Sequence, residues 1–240
     1  MVETLQDGIK VYKKGMFSDA LAIFLSLPTP DIHSQEKGAL DIPYYIGLCY
    51  ARLKRYDEAL LYLEQVVTSE LSEKRIRQCR LTLAVIYSLT GRSSFADFEL
   101  KKLIEDGYET AEVYSALAFL EWEQEKVHRA IEFYEKAIKL NPNSSTALNG
   151  LGYVLACEGR DLTRALTLCK KAHEMNPQSA AFLDSLAWVY YKLGLFAEAR
   201  TFINRSLQYA KDNAEIEEHY KIITKDFAIN KEQDRIAGRG

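Results

Sequence analysis

Four cysteines and four histidines are the side chains in this 240-residue chain best suited to hold a metal, attack a carbonyl or shuttle a proton. Their spacing supports none of these. Cys49, Cys79, Cys157 and Cys169 form no CxxC pair, and His33, His128, His173 and His219 are scattered, with no HExxH and no carboxylate at ligand spacing. P-loop, dinucleotide-binding, nucleophile-elbow and kinase patterns are absent from the sequence. Each cysteine falls inside a helical pattern, where a free thiol behaves as a small apolar residue, so buried, reduced thiols are expected. His128 and His173 are expected on exposed helix positions. The pair Glu217–Glu218 reads as a solvated helix face, as does the basic run Lys74, Arg75, Arg77 and Arg80, for which an acidic partner is the minority reading. The sequons at Asn143 and Asn204 read as loop and helix surface. No catalytic residue, metal or cofactor is expected, and the chain is not expected to be an enzyme.

Composition narrows the alternatives. Hydrophobic residues make up 48% and charged residues 27%, with 5 Pro and 12 Gly against 15 Tyr and 10 Phe. That balance favours helix over strand or disorder. A net charge of -3 supplies no general field for nucleic acid, so an RNA-reading helical repeat ranks below protein binding. The opening MVETLQDGIK has no apolar core of a signal peptide, and no run is long enough for membrane insertion. The expected place is the cytoplasm, or the periplasm or a membrane surface if an anchor has been removed.

What the chain does show is a period. Alanines that precede apolar runs form a ladder, Ala20, Ala59, Ala96, Ala130, Ala165 and Ala199, the last four separated by 34, 35 and 34 residues. Upstream of each stands a small residue: Gly8, Gly47, Ala84, Ala118, Gly152 and Ala187. Turn signals lie between, as in KKGMF, LTGRS, CEGRD and KLGLF, and Pro142 and Pro177 close two units. Two antiparallel helices approach closely only where one side chain is small, and Tyr190, Phe196 and Ile203 fill the space around such a point. Gly91, Gly159 and Gly194 are expected to supply a positive φ at a helix end.

This order of small residue, aromatic, Gly, Ala and Pro resembles the tetratricopeptide repeat, most fully over residues 145 to 213. The wording of the last two units is similar to bacterial repeat proteins. The resemblance implies an all-α, right-handed superhelical solenoid of antiparallel helix pairs with a C-terminal capping helix. The units are expected at 1–34, 40–73, 74–110 (degenerate), 111–144, 145–179 and 180–213, with a spacer at 35–39, a cap at 214–229 and a frayed tail at 230–240. Asp41 reads as an N-cap after the spacer. The first unit is expected to be loosely docked, able to swing away or to meet another chain. Ser93 and Glu121 stand where aromatics are usual, and GRDLTRA carries an extra residue.

In the family, the first helix of each unit lines an inner groove. Carried over position by position, the groove residues are Tyr44, Tyr45, Arg52, Gln78, Thr82, Val85, Glu112, Phe119, Trp122, Glu123, Asn149, Tyr153, Asp184, Trp188, Tyr191 and Lys192. Trp122, Tyr153, Trp188 and Tyr191 serve either a partner or the packing between units, while Phe119 reads as packing. The basic clamp that some members use for a C-terminal carboxylate is absent, since Leu5, Ile9, Tyr45, Gln78 and Thr82 stand at those places. The resemblance therefore implies a scaffold whose groove takes an apolar to mildly basic protein or peptide segment. The alternative is a structural subunit that self-associates through its first unit or its outer faces.

Overall fold

The computed structural model describes residues 4–28, 41–68, 73–210 and 213–236. Thirteen helices and no strand occur among these residues, and the chain divides into two compact units, residues 1–109 and 110–240. The first unit holds α1 (Leu5–Lys13), α2 (Phe17–Ser26), α3 (Asp41–Arg52), α4 (Tyr56–Val67), α5 (Glu73–Leu89) and α6 (Ser93–Glu105). The second holds α7 (Ala111–Glu123), α8 (Val127–Leu140), α9 (Ser145–Cys157), α10 (Leu162–Met175), α11 (Ala180–Lys192), α12 (Phe196–Tyr209) and α13 (Ala214–Ile236). Within each unit, antiparallel pairs pack on the next pair in chain order, the all-α solenoid architecture.

Local chemistry sets the helix ends. Thr4, Thr110, Ser144 and Ser179 accept from backbone N–H groups in the first turns of α1, α7, α9 and α11, satisfying donors that the helix leaves free. Each pair then turns on a residue of positive φ, with the next N–H bonded five residues back. Gly194 (φ +75°) precedes Leu195, whose N–H donates to Tyr190 O at 2.9 Å. Gly91 and Gly159 occupy the same place, whereas Lys54 and Glu125 hold it at φ +59° without glycine. The extra residue after Gly159 is absorbed by Asp161, which takes φ +39° and caps α10 through Arg164 N–H at 3.0 Å.

The ladder alanines Ala20, Ala59, Ala96, Ala130, Ala165 and Ala199 are all 0% exposed. Opposite them Gly8, Gly47, Ala84, Ala118, Gly152 and Ala187 are buried too. A Cβ on Gly152 would lie 2.5 Å from Cys169 Sγ and 3.0 Å from Ala165 O, so α9 and α10 touch nearly backbone to backbone. Around these contacts, Phe24, Ile46, Leu63, Leu83 and Leu100 in the first unit, and Leu120, Leu151, Leu183 and Ile203 in the second, are sealed from water. Each such side chain contributes about 1.5–3 kcal/mol by burial.

Several expectations change. α13 runs to Ile236, so residues 230–236 are helical rather than frayed; residues 237–240 and the spacer 35–39 lie outside the described residues. The first helix pair is seated on α3 through Tyr45, whose ring stacks on Phe24 at 5.3 Å and meets Tyr12 edge-on at 5.7 Å. Asp41 lies in the first turn of α3, and its carboxylate takes Arg75 at 2.7 Å. Two members of the basic run are spent on part-buried carboxylates, Arg75 on Asp41 and Arg80 on Glu99 at 2.6 Å, while exposed Lys74 and the Arg77–Glu73 pair keep a solvated helix face. Glu121, in place of an aromatic, is buried and receives Arg129 at 3.1 Å and Lys126 at 3.7 Å, tying α7 to the turn and α8.

Candidate partner-binding face

The second unit gathers aromatic and acidic side chains from four helices. On α9, Asn149 and Tyr153 are one turn apart and share a face; on α11, Asp184, Trp188 and Lys192 do the same. α13 lays Glu215, His219 and Asp226 against them. Trp122, near the end of α7, meets the Tyr153 ring edge-on at 6.3 Å. Tyr153 donates its hydroxyl to Glu215 at 2.9 Å. Trp188 stacks on His219 at 4.2 Å and on Tyr191 at 5.0 Å, with Lys192 Nζ 5.3 Å from its ring centre. Tyr191 donates to Asp226 at 2.7 Å.

These contacts divide the expected groove residues in two. Asp184 and Asn149 are 5% and 9% exposed, too buried to meet a partner across an open face. His219 Nδ1 lies 2.9 and 3.0 Å from the Asp184 carboxylate oxygens, and Asn149 donates to Ser185 at 2.9 Å. Trp188 and Tyr191 are half-buried and engaged by α13. Trp122 and Tyr153 are half-buried as well, Tyr153 being engaged by α13 through Glu215 and through the His219 ring at 6.1 Å, and Glu112, Glu123 and Lys192 are exposed. Phe119 is half-buried.

Burial raises the Asp184 pKa against the opposing pull of His219. Burial, seconded by the negative charge of Glu215, pushes Glu123 above the usual carboxylate value. Tyr153 is likewise raised, by burial first and then by Cys157 and Glu215. The Cys157 thiol is raised by burial, and so are those of Cys49, Cys79 and Cys169, each of these three to about 12. All four are protonated at neutral pH and poor nucleophiles. No group of three or more His, Cys, Asp or Glu side chains among the described residues is placed to hold a metal ion.

In the first unit, the expected groove residues differ in exposure, with Tyr44 buried and Tyr45, Gln78 and Thr82 half-buried. Tyr44 is buried, donates to Gln78 at 3.1 Å and lies under the Arg75 guanidinium at 4.3 Å; burial pushes its hydroxyl up to about 12. Thr82 bonds back to Gln78 O. Arg52 and Val85 are exposed, the former 5.9 Å from the Phe17 ring centre.

Sequence reasoning missed His219, Glu215 and Asp226. A signal for the first exists: Ile216, His219, Tyr220 and Ile223 form an i, i+3, i+4, i+7 stripe, which puts His219 on the buried face. His173 also differs from its expected exposure, since it is half-buried with its ring edge-on to Phe202 at 5.8 Å; His128 is exposed. His33 lies outside the described residues.

Among the described residues, no helix is long and apolar enough to cross a membrane. Sequence models of the tetratricopeptide repeat match residues 44–69, 115–180 and 158–218, together more than half of the chain. No curated protein matches the sequence. Among solved structures, a tetratricopeptide repeat protein from Parabacteroides merdae is similar with a TM-score of 0.70 at 14% identity, over 92% of this chain and 82% of that one. A thermophilic tetratricopeptide protein of Thermus thermophilus gives 0.64 at 20% identity, over 78% and 99%. The Cut9–Hcn1 hetero-tetramer of the APC/C gives 0.73 at 16% identity, over 91% of this chain and 42% of that one.

Proposed function

We propose that this chain, which belongs to the tetratricopeptide-repeat family, is a non-enzymatic scaffold that holds a protein segment against the face built by α7, α9 and α13. The family generally mediates protein–protein contact, and the finer reading rests on one observation: Trp122 and Tyr153 are partly exposed aromatics in edge-on contact, flanked by the exposed carboxylates of Glu123 and Glu215, on first helices of neighbouring pairs. Amphipathic aromatics of this kind dominate binding hot spots. Trp188 is the less informative probe, because its ring also secures α13. The test is calorimetric titration of a partner recovered with the full chain, against wild type and Trp122→Ala. A loss of at least about tenfold is expected if Trp122 is a hot spot. Unchanged affinity, with the fold intact by circular dichroism, refutes the assignment.

Self-association is a second reading, favoured by Phe95 and Phe98 of α6, which are 60% and 53% exposed and one turn apart. Light scattering across concentration separates the two, since a peptide-binding monomer keeps its mass.

A further inference from the structure

Resting on that reading of the face, we propose that Trp122, Tyr153, Glu123 and Glu215 form a subsite for one cationic side chain of the partner segment, an arginine guanidinium fitting best. The two tryptophans are not equivalent. Trp188 already has a cation of its own in Lys192, and His219 and Tyr191 stack on it. No described cation lies over Trp122, whose neighbour Tyr153 meets it edge-on and leaves part of both rings open to solvent. The faces of Trp and Tyr rings are negative and attract a cation within about 6 Å.

The carboxylates differ in the same way. Buried Glu121 is neutralised by Arg129 and Lys126, and Asp184 faces His219. Glu215 accepts only the Tyr153 hydroxyl, and Glu123 has no basic partner among the described residues. Glu123 instead feels the negative charge of Glu215, which raises its pKa beyond the effect of burial. A guanidinium placed here would answer both carboxylates while lying on an aromatic surface, the arrangement for which its planar fork is suited. One turn before Tyr153 on the same face, Asn149 is 9% exposed, and its Oδ1 is buried with no hydrogen-bond partner. At that burial it is not reached from the open face, and the subsite rests on Trp122, Tyr153, Glu123 and Glu215. The same charges repel phosphate-bearing ligands, which leaves a basic protein segment as the occupant.

The chain has two tryptophans, so its indole N–H region in an ¹H–¹⁵N NMR spectrum holds two side-chain signals, assigned with a Trp188→Phe variant. Full-length protein is titrated with N-acetyl-arginine amide and, separately, with N-acetyl-citrulline amide, which keeps the shape and lacks the charge. Saturable movement of the Trp122 signal is expected with the arginine probe and not with citrulline. The Glu123→Gln/Glu215→Gln variant, whose new amide oxygen on α13 can still accept from Tyr153, should weaken the arginine response at least tenfold. An equal response to citrulline, or an arginine response unchanged in that variant, overturns the subsite. If the arginine probe fails while Trp122→Ala still weakens the partner, the face stands and the cation subsite falls; failure of both removes the face itself.

Discussion

Replacing Gly152 with alanine should force α9 and α10 apart. The new Cβ would lie 2.5 Å from Cys169 Sγ, 3.0 Å from Ala165 O and 3.4 Å from Cys169 N, against about 3.5–4 Å for a comfortable heavy-atom contact. None of these neighbours can yield cheaply, because Cys169 and Ala165 are 0% exposed and two of the three atoms are backbone. Overpacking of this kind costs about 1–3 kcal/mol, while alanine returns about 0.8–1 kcal/mol of helix propensity. A net loss of about 1–2 kcal/mol is expected. Cys169→Ala alone removes one buried sulfur at a cost of about 1 kcal/mol. In the double variant the sulfur overlap no longer exists, and the remaining approach to Ala165 O at 3.0 Å is offset by alanine's helix propensity, so its stability should lie close to that of Cys169→Ala alone, a coupling of about 1–2 kcal/mol. Urea unfolding followed by tryptophan emission measures this, because Trp122 on α7 and Trp188 on α11 flank the α9–α10 pair. Strictly additive losses would refute the sulfur as the source of the clash, and a Gly152→Ala protein more stable than wild type would refute a near-contact of backbones at this crossing.

Other perturbations test other parts of the frame. Gly194 has φ +75° and open space where a Cβ would stand, so Gly194→Ala should lose about 1 kcal/mol from backbone strain alone, whereas Glu125→Gly, at φ +59°, should gain about 0.5 kcal/mol; thermal melts compare them. Glu99→Ala strands the Arg80 guanidinium, whose side chain is 18% exposed, and should cost about 2–4 kcal/mol, with much of that recovered in Arg80→Met/Glu99→Met, as urea unfolding would show. Burial, joined by the Arg205 charge, holds the His173 pKa below the usual histidine value. The unfolded chain then takes up a proton first, so this stability is present above the ordinary histidine pKa and is lost as pH falls through the lowered one. His173→Gln should flatten that slope in melts taken between neutral and mildly acidic pH.

The period is legible because packing demands it. A helix crossing needs a small residue, a reversal needs a positive φ, and a stop tolerates proline, so Gly152, Gly194 and Pro177 announce the unit without knowledge of its neighbours. Tolerance at the same positions hides other cases: Lys54 and Glu125 adopt the glycine conformation and carry no signature of it. The proposed face is harder to read, since the inner wall of one pair is touched by side chains one or two units away. Asp184 has the look of a groove acid until His219, 35 residues on, is placed against it. Trp122 and Trp188 both fall among the expected groove residues of a first helix, Trp188 one turn earlier in its unit, and position alone does not tell a partner contact from packing. What separates them is α13, whose own stripe marks it as packed but not what its polar side chains reach.

Many of the polar ties between successive helix pairs span one period. Tyr44 to Gln78 and Asp41 to Arg75 are 34 residues apart, Asp184 to His219 and Tyr191 to Asp226 are 35, and Asn149 to Ser185 are 36. Closing loops of such uniform and modest length keeps contact order low, so assembly can start at any pair and spread outward quickly. Tyr153 to Glu215 is different: it reaches 62 residues, over the whole α11–α12 hairpin. It can close only after that hairpin and α13 have settled, which makes the Glu215 carboxylate at Tyr153 a late arrival, in place only once α13 has docked.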